Sequence, residues 1–144
     1  MNTQLEEIYG LFLSSITDYD YLELETEDFN NEMLMLLKKS LSKFRYKDNI
    51  KIDSDLGEFS KELTDSEMNV ISLGMLSEYL KSKIYNIELL RMNLGSKDWQ
   101  MYSQANHLKE LMELKKETDA DFHYYMGVLN LDNALKDRIK KWLI

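Results

Sequence analysis

None of the 144 residues is proline, and only five are glycine. Proline costs an interior helical position about 3 kcal/mol and glycine about 1 kcal/mol relative to alanine. A chain with none of the first and few of the second meets little local resistance to running as long helices. The fold class this predicts is all-α: a small helical domain of about five to six helices, with a long helix, a hairpin-like insertion and a C-terminal helical tail. The length is that of a single domain, long enough to bury about 68–70% of its unfolded surface without a staple.

Apolar spacing places the helices. Leu5, Ile8, Phe12 and Ile16 recur at helical intervals and predict a first helix over residues 2–16. TDYDYLELETED, residues 17–28, reads as an acidic connection. A second helix is expected from Glu27 to Phe44, with Phe29, Met33, Leu36, Leu37, Leu41 and Phe44 on one face. Residues 45–63 break the rhythm. KDNIKIDSD alternates at Ile50 and Ile52, and Gly57 sits between acidic stretches, as in a short β-hairpin or an extended loop. Loops of that length inside a small helical domain usually carry function or lack order.

TDSE, Thr64 to Glu67, has the spacing of a capping box, in which hydroxyl and carboxylate each satisfy the other residue's backbone N–H. The helix behind it, to about Lys81, is apolar on most sides and is expected at the centre of the core. NIELLRMNL reads as a short helix closed by Gly95. Ser96 or Asp98 can cap the next helix, whose stripe runs through Met101, Ala105, Leu108, Leu111 and Met112 to Thr118, Phe122, Met126 and Leu129. It is read as one long helix over residues 98–126 or as two joined by a bend near Asp119. Asp132 is a candidate cap for a separate terminal helix, LDNALKDRIKKWLI, with Leu135, Ile139, Trp142 and Leu143 on one face. The expected division is a helical domain over 1–130, with its insertion at 45–63, and a docking helix over 131–144.

Charge and composition exclude several functions. Up to Leu37 the chain has nine acidic residues and no lysine or arginine. A surface this acidic repels a phosphate backbone and argues against ordinary nucleic-acid binding. With no cysteine, thiolate chemistry and disulfides are absent. No apolar run approaches the roughly 20 residues of a membrane span, and MNTQLEEIYG lacks the pattern of a signal peptide; the expectation is a protein made in a cytoplasm, with no membrane partner.

The sequence carries no recognisable catalytic pattern. His107 and His123 would stand about 24 Å apart on one helix, too far to share a metal. His107 with Glu110 reverses the order of the di-iron Glu-x-x-His pattern and occurs once. No serine lies in a nucleophile elbow, and the glycines are too scattered for a phosphate loop. No catalytic residue, metal or cofactor is predicted. The nine tyrosines and nine methionines point instead to packing and protein contact. Trp99 and Tyr102 are read equally as core or as subunit contact. Trp142 would expose apolar surface unless it docks, either on its own domain or on another protein.

Two stretches carry a resemblance. GEFSKELTDSEMNVISLGML, Gly57 to Leu76, and LRMNLGSKDWQMYSQANHLKELMEL, Leu90 to Leu114, resemble the head–tail connector (adaptor) proteins of tailed bacteriophages and prophages. The family's "F…LTxxE" helix start reads here as Phe59, Leu63, Thr64 and Glu67. Its "LGSKDFxxYSxANxLKEL" segment reads as Leu94, Gly95, Ser96, Lys97, Asp98 and Trp99, with Tyr102, Ser103, Ala105, Asn106 and Leu108. The early acidic segment is also similar, so the likeness covers about residues 5–115. The motifs are not chemically specific; their order and density carry the likeness.

The resemblance implies a non-enzymatic structural protein of the virion neck. It implies a ring of twelve copies under the portal, joining the DNA-filled head to the tail or to a stopper or tail-completion protein. DNA would pass through without specific binding, past an acidic lumen expected at Glu23, Glu25, Glu27 and Asp28. Leu135, Arg138, Ile139, Lys141, Trp142, Leu143 and Ile144 are the expected portal-docking residues. Ile50, Ile52, Asp53, Asp55 and Phe59 are the expected contact to a neighbouring subunit or the next ring. A second reading, of a different class, is a small acidic helical regulator that binds a basic DNA-binding protein by charge mimicry.

Overall fold

The structure is a computed structural model that describes residues 1–16, 20–44, 50–93 and 104–143. Among these residues it is all-α apart from one small hairpin. Among the described residues five helical segments follow in chain order: α1 (Leu5–Leu13), the single turn α2 (Asp20–Glu23), α3 (Thr26–Leu41), α4 (Asp65–Asn93) and α5 (Gln104–Leu143). Between α3 and α4 lie β1 (Ile52–Asp53) and β2 (Glu58–Phe59).

The first helix is shorter than its periodicity predicts. Gln4 forms a β-bridge with Glu58, and α1 starts only at Leu5. Thr3 is the reason: its carbonyl accepts from Phe59 N (2.8 Å), its N–H donates to Lys61 O (3.2 Å), and its buried hydroxyl accepts from Leu63 N (2.8 Å). Backbone groups committed to a strand cannot also begin a helix. β2 therefore lies between β1 and the N-terminal residues, with Ile52 opposite Phe59 and Asp53 opposite Glu58. The turn is built locally: Asp53 Oδ1 accepts from the N–H groups of Asp55 and Leu56, both at 3.1 Å, and Gly57 takes a positive φ of 67°.

The capping box forms as the sequence predicts. Thr64 N donates to Glu67 Oε1 and Glu67 N donates to Thr64 Oγ1, each at 3.1 Å. Glu67 is buried, and Lys61 Nζ lies 2.8 Å from its second carboxylate oxygen. The helix it starts is central, packing against α1, α3 and α5. Val70, Ile71, Met75 and Leu80 are almost wholly enclosed. It runs 29 residues without the interruption expected near Lys81, because Lys81, Ser82, Tyr85 and Asn86 simply face outward and no residue there breaks a helix.

α5 is continuous over 40 residues, without a bend near Asp119 or a new start at Asp132. Asp119 instead ties the helix to α4, accepting from Ser77 Oγ and from Lys115 Nζ, both at 2.5 Å. The close approach of the helices is set by Gly74. A Cβ there would collide with Ser40 Oγ and lie 3.1 Å from the Phe122 ring. Ser40, wholly buried on α3, donates to Ile71 O at 2.8 Å and so holds α3 against α4. An aromatic row, Phe12–Tyr79–Tyr21–Phe29, links α1, α4, α2 and α3, with ring centroids 5.8, 6.0 and 6.5 Å apart in that order.

Candidate interaction surfaces

α5 packs through one stripe: Leu108, Leu111, Lys115, Thr118, Phe122, Met126 and Leu129. Its direction follows from its contacts. Phe122 meets Gly74, Asp119 meets Ser77, and Leu129 with Tyr125 borders Asp65, Ser66 and Asn69. α5 is therefore antiparallel to α4 and passes the start of α4 near Leu129. The rest of α5, at 1.5 Å per residue, extends about 21 Å further. The portal-docking residues expected from sequence all fall on this extension. Leu135 (48% exposed), Ile139 (56%), Trp142 (84%) and Leu143 (82%) lie in solvent, as do Arg138 and Lys141; Ile144 lies outside the described residues. At that exposure Trp142 is not buried against the described residues of its own domain.

A second stripe, of which the sequence reading gives only Leu135, Ile139 and Trp142, runs up the back of the same helix. Tyr124, Val128, Leu131, Leu135, Ile139 and Trp142 are all exposed. Their spacing averages one helical turn, which keeps them in line on a straight helix, facing well away from the packed stripe. The signal was present in the sequence but hidden by the expected break at Asp132.

The hairpin residues divide. Ile50 and Phe59 are buried in the chain's own core, Phe59 completely, because β2 is held from both sides. They are reassigned from contact residues to core. Ile52 is half-buried, and what reaches solvent is the turn, Asp53, Asp55 and Leu56. Glu23, Glu25, Glu27 and Asp28 are all exposed around the start of α3. Beside them is a cleft of about 300 Å³ between α3 and α4, bordered by Tyr21, Leu24, Met35, Leu36 and Tyr79 and edged by Glu32. Leu24 and Met35 are exposed apolar side chains at its rim.

Of the family-motif positions, Thr64 and Glu67 form the helix cap, Leu108 is buried and Asn106 is exposed. Gly95, Ser96, Asp98, Trp99 and Tyr102 lie outside the described residues. His107 and His123 are both exposed on α5, and His123 stacks edge-on against Phe122 at 5.6 Å. Among the described residues no cluster of three His, Cys, Asp or Glu side chains has the arrangement of a metal site, and no helix is long and apolar enough to cross a membrane.

Two carboxylates have shifted acidity. Burial alone would raise the pKa of Asp119, but its hydrogen bonds from Lys115 and Ser77 outweigh that and hold it below the usual range. Glu78 follows the same pattern: burial opposes, and Lys43, 2.9 Å away, prevails and lowers it. Both act between helices and neither lies in a closed pocket with a nucleophile. No family model, curated protein or solved structure matches the chain.

Proposed function

We propose that this chain is a structural head–tail connector of a tailed phage or prophage particle, forming a ring under the portal and joining the capsid to the tail or a stopper. The observation that carries the reading is the end of α5, an exposed helical extension bearing Trp142 and Leu143 beside Lys136, Arg138, Lys140 and Lys141. Large apolar side chains amid cations suit a helix that docks into another protein, where the aromatic anchor supplies most of the affinity and the charges steer encounter. The motif order from Phe59 to Leu108 names the portal as that partner by resemblance. The ring would hold twelve copies in the virion neck. The hairpin turn, Asp53 to Leu56, is the part of the insertion available to a neighbour or the next ring. Acidic side chains at Glu23 and Glu27 suit a passage that DNA must traverse without adhering.

The test is sedimentation of the purified protein alone and with the portal ring of the same genome. Comigration at about one copy per portal subunit is expected. A protein that stays free beside a competent portal overturns the reading. The acidic run before Leu37 favours the second reading, a regulator that captures a basic DNA-binding protein; a pull-down that recovers such a protein in place of the portal would establish it.

A further inference from the structure

The exposed end of α5 and the cleft beside α3 complement one another, and the fold keeps them apart within one chain. The cleft is bordered by Ser82 and Asn86, in the second half of α4, whereas α5 leaves the domain beside Asp65, at the first. Along the antiparallel pair, Asp65 to Ser82 is about 26 Å in one direction and Leu129 to Trp142 about 20 Å in the other. A straight α5 thus holds its tip some 45 Å from its own cleft.

We infer that the tip of α5 from one copy seats in the α3–α4 cleft of a second copy, head to tail. The chemistry on each side is specific. The tip offers Trp142 and Leu143 with four cations close by, Lys136, Arg138, Lys140 and Lys141. The cleft offers an apolar floor at Tyr21, Leu36 and Tyr79, an apolar rim at Leu24 and Met35, and space for one large side chain. The wall on that side of α3 carries acids: Asp28 and Glu25 stand one and two turns before Glu32, the first two exposed and Glu32 part-buried. In the lining itself Glu32 and Glu78 are balanced by Lys39 and Lys83, so the acidic excess at the mouth comes from Glu25 and Asp28 beside it. Glu27 lies on the other side of α3 and stays clear of the contact.

Because the two surfaces differ, the contact is heterologous. It leaves one tip and one cleft unfilled on every pair and continues to a ring or a filament. The inference concerns the protein alone and stands without the connector reading. Joined to that reading, it makes the α5 tip contested, so that a portal would have to displace the neighbouring copy from it.

Sedimentation velocity of the full chain over a wide concentration range is the test, with two variants at exposed positions and the part-buried Glu32. Trp142→Ala/Leu143→Ala removes the tip, and Glu25→Lys/Glu32→Lys reverses the wall. Wild type is expected to self-associate, less so in high salt. Each variant alone is expected to lose about tenfold or more in association and to sediment as monomer. Mixed in equal amounts, the two should form a one-to-one complex and nothing larger, since only one intact tip and one intact cleft then face each other. A monomeric wild type overturns the inference. So does a wall variant that associates as wild type, which would mean that the back stripe of α5 pairs with itself, or a mixture that stays monomeric. None of these outcomes alters the portal comigration that tests the connector reading. Unchanged circular dichroism and thermal midpoints of both variants show that the loss is one of contact and not of fold.

Discussion

Gly74 sits where three helices meet. Its missing side chain lets Ser40 of α3 and Phe122 of α5 approach the α4 backbone together. Gly74→Ala must push one of them away, and overpacking of this kind costs about 1–3 kcal/mol. The expected result is a folded protein with a lower thermal midpoint, measured by circular dichroism; an unchanged midpoint would show that the three helices yield freely at this point. Asp119 makes a different prediction because it titrates. Its folded pKa is depressed, so the stability it contributes is present above the unfolded value of about 3.9 and is lost as pH falls through the folded one. Asp119→Asn should therefore lower stability at neutral pH, and the gap from wild type should close on acidification from about pH 5 toward 2. Glu78, held low by Lys43, leaves some acid sensitivity in both proteins. A gap independent of pH would remove the charge from the account.

Two elements differ in what they owe the core. The hairpin is bound in: Phe59 and Ile50 are buried, and Thr3 carries hydrogen bonds to Phe59, Lys61 and Leu63. The end of α5 is the opposite case, since its side chains over residues 134–143 are exposed. Deleting residues 133–144 should accordingly leave the thermal midpoint of the domain nearly unchanged while abolishing comigration with the portal. Unfolding of the truncated chain would place the extension in the core. Both elements were visible in the sequence, the hairpin from alternation at Ile50 and Ile52 and the tail from its amphipathic spacing. Their attachments were not visible. Whether Ile50 faces a neighbour or its own core depends on the strand pairing of Gln4 with Glu58, and no local pattern encodes a partner 54 residues away.

At the scale of the molecule, the absence of proline and the rarity of glycine determined that the chain is helical. The apolar repeats determined which faces are buried: Leu5, Ile8, Phe12, Met33, Leu36 and Leu37 all lie where their spacing puts them. Thr64 and Glu67 fixed the start of the central helix by chemistry local to four residues. These are short-range effects, and a sequence states them directly. Tertiary structure decided the rest. Asp119 and Asp132 look like breaks in isolation, yet α5 runs through both: at Asp119 packing along α4 outweighs propensity differences of a few tenths of a kcal/mol, and past Leu129 no proline or glycine follows to stop the helix. The same continuity carries Trp142 away from the domain, with the α3–α4 cleft at the far end. The separation of those two surfaces follows from how two helices lie against each other.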